Sequence, residues 1–137
     1  MFEEIIHSVF ISDLNSSHNK DIYNKYNISV VINCTDNGKF INKDILKYRV
    51  PLTSSINSNH DIIQLKKYKN NIFNIIKKYL FKKNILICCY NGYQISPLII
   101  SLFLMKYGSI NSIDVRDILK SKNNKIILDY DLDYILN

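Results

Sequence analysis

Residues 84–108, NILICCYNGYQISPLIISLFLMKYG, constrain the fold more than any other part of the chain. After Asn84 the run to Cys89 is wholly apolar, the pattern of a strand covered on both faces, as a central position in a sheet requires. Pro97 stands where a helix tolerates proline best, in its first turn, and Gly108 where a helix ends, so Pro97 to Tyr107 reads as a helix. The residues between, Tyr90 to Ser96, must form a tight turn. A strand, a turn and a helix in that order aim successive backbone N–H groups at one point, and the helix dipole adds positive potential there. An anion is welcome at that point, and Cys89 stands at its mouth, a position suited to a nucleophilic sulfur. Taken alone, Cys-x-x-Gly-x-x-x-Ser is a weak pattern, because a cysteine at a strand end is commonly inert packing.

The rest of the chain alternates strands with helices. Residues 8–14 (SVFISDL), 28–35 (ISVVINCT) and 45–52 (ILKYRVPL) are short β-branched runs. Ser16 and Ser17 are expected to cap a short helix over Lys20 to Tyr26. From Asp61 to Phe81 the apolar residues Ile62, Ile63, Leu65, Ile72, Phe73, Ile76 and Leu80 recur at helical spacing, with lysines between them, which predicts the longest helix. Further helices are expected over Ser112 to Lys120 and Leu128 to Leu136. This order predicts an α/β fold with a central, mostly parallel sheet flanked by helices on both faces. With 137 residues and no linker, repeat or low-complexity block, one domain over residues 1–137 is expected.

Composition excludes several functions. The net charge of +6 comes almost entirely from scattered lysines, and no dense basic run carries interleaved aromatics, so nucleic-acid binding is not expected. No segment approaches the length of a membrane span. Glu3 and Glu4 stand where a secretory signal carries basic residues. The three cysteines, Cys34, Cys88 and Cys89, match neither a metal-ligand spacing nor a disulfide framework, so no metal and no cofactor is expected, and the reducing cytoplasm is the expected compartment. The abundance of Ile, Asn, Lys and Tyr hints at an AT-rich genome such as that of some viruses or protists.

Four stretches in order carry a resemblance to a known family. VFISDL, VVINCT, VPL and ILICCYNGYQISPLIISLFLMKYG resemble, in turn, the opening strand, the following strand, the strand before the general-acid loop, and the signature strand, phosphate loop and central helix of the small cysteine-dependent dual-specificity protein phosphatases, including those carried by poxviruses. The resemblance implies that fold, with Cys89 at the nucleophile's position. It implies a phosphate loop of Cys89, Tyr90, Asn91, Gly92, Tyr93, Gln94, Ile95 and Ser96, in which the Ser96 hydroxyl supports the thiolate.

The departures from the family pattern are as informative. Cys88 stands where the family has histidine, and Ile95 where it has the signature arginine. In place of the general-acid aspartate the chain has VPLTSSINSNHD, with Thr53, Ser54 and Ser55 nearest, and no serine delivers a proton as a carboxylic acid does. Asp61 is the one carboxylate in range, and it reads first as part of a helix start. The leading expectation is therefore a degenerate, catalytically inactive pseudophosphatase that serves as a protein-binding or regulatory module, with a host or viral phosphoprotein as candidate partner and the host-cell cytoplasm as its place if the chain is viral. Tyr90, Asn91, Tyr93 and Gln94 would either face that partner or shield the loop from water. The alternative is a weakly active or substrate-specialised phosphatase using Cys89 as nucleophile. A third class uses Cys89 with Cys88 as a redox site, although neighbouring cysteines in a strand point to opposite faces. Homodimerisation stays open, with the chain beginning almost at its first strand and offering no N-terminal extension to exchange.

Overall fold

The structure, a computed structural model, describes residues 1–54 and 59–137. Its elements are β1 (Phe2–Ile6), β2 (Val9–Asp13), a 3-10 turn (Ser16–His18), α1 (Lys20–Tyr26), β3 (Ile28–Asn33), β4 (Leu46–Arg49), α2 (Asn59–Tyr79), β5 (Asn84–Cys89), α3 (Ile95–Tyr107), α4 (Ser112–Lys122) and α5 (Leu132–Leu136). Five strands form one sheet in the order β1-β2-β5-β3-β4. All neighbours are parallel except β1, which runs antiparallel to β2. The apolar run ending at Cys89 thus takes the central strand, as its lack of polar residues requires.

The two faces of the sheet carry unequal cores. One face holds the large cluster, in which Ile11, Ile32, Ile85 and Ile87 meet Leu65, Phe73 and Ile76 of α2 and Leu98, Leu102 and Phe103 of α3. The other is covered by α1 and the segment leading to β4, with Phe10, Tyr23, Val31, Leu86 and Cys88 buried there. Alternation along β5 decides the assignment: Ile85, Ile87 and Cys89 face the large cluster, and Leu86 and Cys88 the small one.

Three sequence expectations need correction. The chain carries a strand, β1, ahead of the first one expected, joined to β2 through His7 and a Ser8 in the left-handed region (φ 69°). Ser16 and Ser17 do not cap α1. They lie in the 3-10 turn before it, where the Ser17 hydroxyl donates to the Leu14 carbonyl, and the cap is Asn19, whose side chain accepts from the Asp21 amide. The last helix begins at Leu132 rather than Leu128, capped by Asp131, because the carbonyls of Leu128 and Tyr130 are held by the Arg116 guanidinium instead of by a helical ladder. Other boundaries shift by a few residues, with α3 starting at Ile95, so that Pro97 is its third residue.

Candidate active site

Cys89 ends β5 at the edge of the sheet from which the parallel strands emerge, and its side chain is almost wholly buried. The chain then turns through Tyr90 to Gln94 and enters α3. Gly92 allows the turn. Its φ of +77° is one that other residues rarely adopt, and a Cβ there would lie 2.7 Å from the Asp13 amide nitrogen, against β2 backbone that cannot yield. The curled loop brings the amides of Gly92 (3.2 Å) and Ser96 (3.3 Å) onto the Cys89 sulfur. The α3 cap, Gln94, supplies no side-chain acceptor to the first-turn amides, and that turn contains no acidic residue, so the helix end faces the loop with its positive potential intact.

The remaining loop side chains are engaged with one another or with neighbouring segments. Asn91 Oδ1 accepts from the Tyr93 amide (2.9 Å) and stands 4.0 Å from the Cys89 sulfur, while Asn91 Nδ2 donates to Gln94 Oε1 (2.9 Å). A carboxamide oxygen therefore lies beside the sulfur and accepts from an amide of the loop, as an oxygen of a bound anion would. The Tyr90 hydroxyl donates to Asp36 and Asn37 in the segment after β3. The Tyr93 carbonyl accepts from Ile127 (2.8 Å), pinning the stretch before α5 across the loop. That stretch also brings Tyr130 near the site, where burial, with Cys89 nearby, pushes its phenol up to about 12. Ser96 meets the sulfur through its amide, and its hydroxyl donates to the Ser12 carbonyl (3.4 Å).

Ile95 is the first residue of α3 and is 2% exposed, with its side chain in the large core cluster. Neither arginine stands in for a cation there. Arg49 donates to the carbonyls of Thr35 (2.9 Å) and Gly38 (2.6 Å), and Arg116 to those of Ser112, Leu128 and Tyr130. Asp61 lies in the first turn of α2, fully buried, and accepts from the Thr53 amide (3.2 Å) and the Thr53 hydroxyl. Ser54 is exposed ahead of that helix, and Ser55 lies outside the described residues. Cys88 faces the small cluster, where burial pushes its thiol up to about 12. Cys34 lies on the same face as Cys89, wholly buried, and burial, reinforced by the two neighbouring cysteines, pushes its thiol well up. Among the described residues no cluster of His, Cys, Asp and Glu could hold a metal ion, and no helix is long and apolar enough to cross a membrane.

Two site features escaped the sequence reading. The Asn91 contact with its own loop follows from Asn two residues before an amide in a tight turn, a local signal that was available. Tyr130 and Ile127 come from far along the chain, and no local pattern marks them.

A cysteine ending the central strand of a parallel sheet, with a curled loop that turns its amides inward and a helix behind it, defines the class of cysteine-loop phosphatase folds. The chain matches the family described as "Dual specificity phosphatase, catalytic domain" over residues 9–132, and it belongs to that family. No curated protein matches it by sequence. Among solved structures it is similar to DUSP15 (16% identity, covering 98% of this chain and 84% of that one, TM-score 0.85). It is also similar to the human tyrosine phosphatase-like serine/threonine/tyrosine-interacting protein (12%, 98% and 92%, TM-score 0.83). A third is a leucine rich repeat and phosphatase domain containing protein from Entamoeba histolytica (22%, 98% and 87%, TM-score 0.78). At these identities the structures speak for the fold.

Proposed function

We propose that the chain is a catalytically inactive, virus-encoded pseudophosphatase of the dual-specificity family, acting as a protein-binding or regulatory module in the host-cell cytoplasm. The observation that carries this reading is the use made of Ile95. The residue at the signature arginine's position spends its side chain on the core, and a phosphoryl group in the loop would meet no guanidinium. Removing one such preorganised donor slows an enzyme by about 10² to 10³. A missing general acid removes about 10² to 10⁴ more, with the two losses not fully multiplicative. Asp61, hydrogen-bonded to Thr53 at a helix start, supports a structural part for the carboxylate that follows the VPL segment. The Asn91 oxygen beside Cys89 also occupies an amide that a phosphate would need. The human tyrosine phosphatase-like serine/threonine/tyrosine-interacting protein has a similar fold, and a phosphoprotein, of host or virus, is the partner class proposed here.

The test is turnover of an aryl phosphate and of phosphotyrosine peptides by the intact protein and by Cys89→Ser. The two are expected to be indistinguishable, and Cys89-dependent hydrolysis would overturn the proposal. A second reading, a substrate-specialised phosphatase with Cys89 as nucleophile, is favoured by the two amides that still point at the sulfur. Capture of a phosphoryl group on Cys89 from a physiological phosphoprotein would support it.

A further inference from the structure

At the opposite end of the sheet from the loop, the tip of the β1–β2 hairpin and the last turns of α2 and α3 leave a groove of about 400 Å³. It is lined by Ile6, Leu80, Phe103, Leu104 and Tyr107, with Lys77 on its wall. The helix α3 begins beside Cys89 and rises about 1.5 Å per residue, so the residues of α3 that line the groove lie about 12 to 18 Å along it from the loop. Its rim exposes more apolar surface than folding needs. Tyr107 is 40% exposed and Phe81, next to Leu80, is 69% exposed. Phe81 takes the left-handed position (φ 63°) of the turn that closes α2, where the Lys82 and Lys83 amides donate to the Tyr79 carbonyl, and its ring lies against His7. A large aromatic left in solvent beside an apolar groove marks a place where something can be received.

The charge around the groove names its chemistry. Lys77 stands over the Tyr107 ring (4.7 Å to its centroid) and Lys106 over the rings of Tyr107 and Phe73 (5.7 Å each). Lys82 and Lys83 are exposed in the turn after Phe81. Among the described residues no lysine pairs with a carboxylate; the one ion pair joins the Met1 amino group to Asp13, far from this end. Glu4, on the same strand as Ile6, faces the Ser8 amide. The concave apolar wall calls for an inserted side chain, and the unpaired lysines for negative charge on either side of it.

We propose that this groove is a docking site for an acidic protein segment that inserts one large apolar side chain, such as Phe, Leu or Met, between flanking Asp or Glu residues. This goes beyond the pseudophosphatase reading and does not rest on it, because nothing in the groove touches the loop.

The test pans the intact protein against a displayed library of random dodecapeptides and measures the enriched peptide, synthesised and fluorescently labelled, by anisotropy. Enriched sequences should carry one large apolar residue among carboxylates. Their affinity should fall tenfold or more in the doubly substituted Lys77→Glu/Lys106→Glu protein, whose changed positions are exposed and whose folding is checked by circular dichroism. A similar fall is expected when the anchor is replaced by Ala, and a change of less than twofold in Lys39→Glu, an exposed lysine in the segment after β3 at the other end of the sheet. The proposal is overturned if nothing is enriched, if the enriched peptides lack carboxylates, or if the double variant binds them unchanged. It is likewise overturned if sedimentation finds a dimer broken by Leu80→Lys, which would make a second copy the occupant. Phosphatidylserine vesicles bound by the protein and lost by the double variant would assign the surface to lipid instead and overturn it too.

Discussion

Replacing Asp61 with Ala separates a structural aspartate from a catalytic one. Asp61 is fully buried and receives two hydrogen bonds from Thr53, from its amide and its hydroxyl, which tie the segment after β4 to the start of α2. Two such bonds contribute a net of about 1 to 3 kcal/mol. An acidic side chain in the first turn of a helix adds about 0.3 to 1 kcal/mol through the dipole. Asp61→Ala should therefore destabilise the protein by about 1.3 to 4 kcal/mol. With a urea m-value of about 2 kcal/mol/M, the unfolding midpoint should fall by about 0.7 to 2 M at unchanged m. Thr53→Ala should lose part of the same stability, and the double variant should lose less than the sum, with a coupling of about 1 kcal/mol. Equilibrium urea unfolding followed by circular dichroism reads all four proteins. The reasoning is refuted if Asp61→Ala moves the midpoint by less than the error of the fit, or if the two effects simply add. If the same variant kept its stability and lost a Cys89-dependent phosphatase activity, Asp61 would be the general acid, and the inactive reading would go with it.

Three further outcomes follow from the loop and its surroundings. Asn91→Ala releases the Tyr93 amide beside Cys89 and should tighten the binding of tungstate, measured by calorimetry, by about tenfold, the value of one hydrogen bond to a charged group; unchanged affinity would mean that the carboxamide does not compete for that position. Gly92→Ala, with φ at +77° and a Cβ 2.7 Å from the Asp13 nitrogen, should lower stability in urea by at least about 2 kcal/mol, and a native-like midpoint would show that the loop can move off β2. Burial raises the thiols of Cys34 and Cys88, so their thiolate fractions stay small at pH 8 and increase only as pH climbs toward their raised values. Mass spectrometry after iodoacetamide treatment at pH 8 should find both unlabelled in the folded protein and labelled in urea, and native labelling of either would contradict the packing.

What the sequence made legible was what periodicity and special residues encode. The buried run ending at Cys89, the glycine of the turn and the proline early in α3 were enough to place the loop, because each answers a local demand of backbone or burial. The strand β1 was not legible. It is an edge strand with only Ile5 fully buried, its consecutive Glu3 and Glu4 break the alternation, and its hairpin turns on His7 and Ser8 without the glycine or asparagine that usually announces such a turn. The end of the chain failed for the opposite reason. Residues 128–131 have helix-compatible composition, but tertiary contacts from Arg116 and Tyr93 claim their neighbourhood first. In the site, the identity of each loop residue could be read in advance, but not the direction of its side chain. Nothing in the letters says that the Ser96 hydroxyl turns to Ser12, or that Asn91 turns inward to the sulfur.

Ile95 joins the fold to the proposed function. A cation at the start of α3 has to leave the core and reach over the loop, giving up packing for the chance to hold an anion, the usual compromise at a working site. An isoleucine there does the reverse. Buried to 2% exposure among the aliphatic residues of the large cluster, it adds about 1.5 to 3 kcal/mol of apolar burial. Gly92 and the two amides on Cys89 keep the loop's curvature, since that curvature also packs the loop against β2 and starts α3. The loop therefore has the parts that serve both shape and chemistry, and the proposed function takes Ile95 as a position given to stability instead of chemistry. That division is what a chain would display if its surface, rather than turnover at Cys89, is what it supplies.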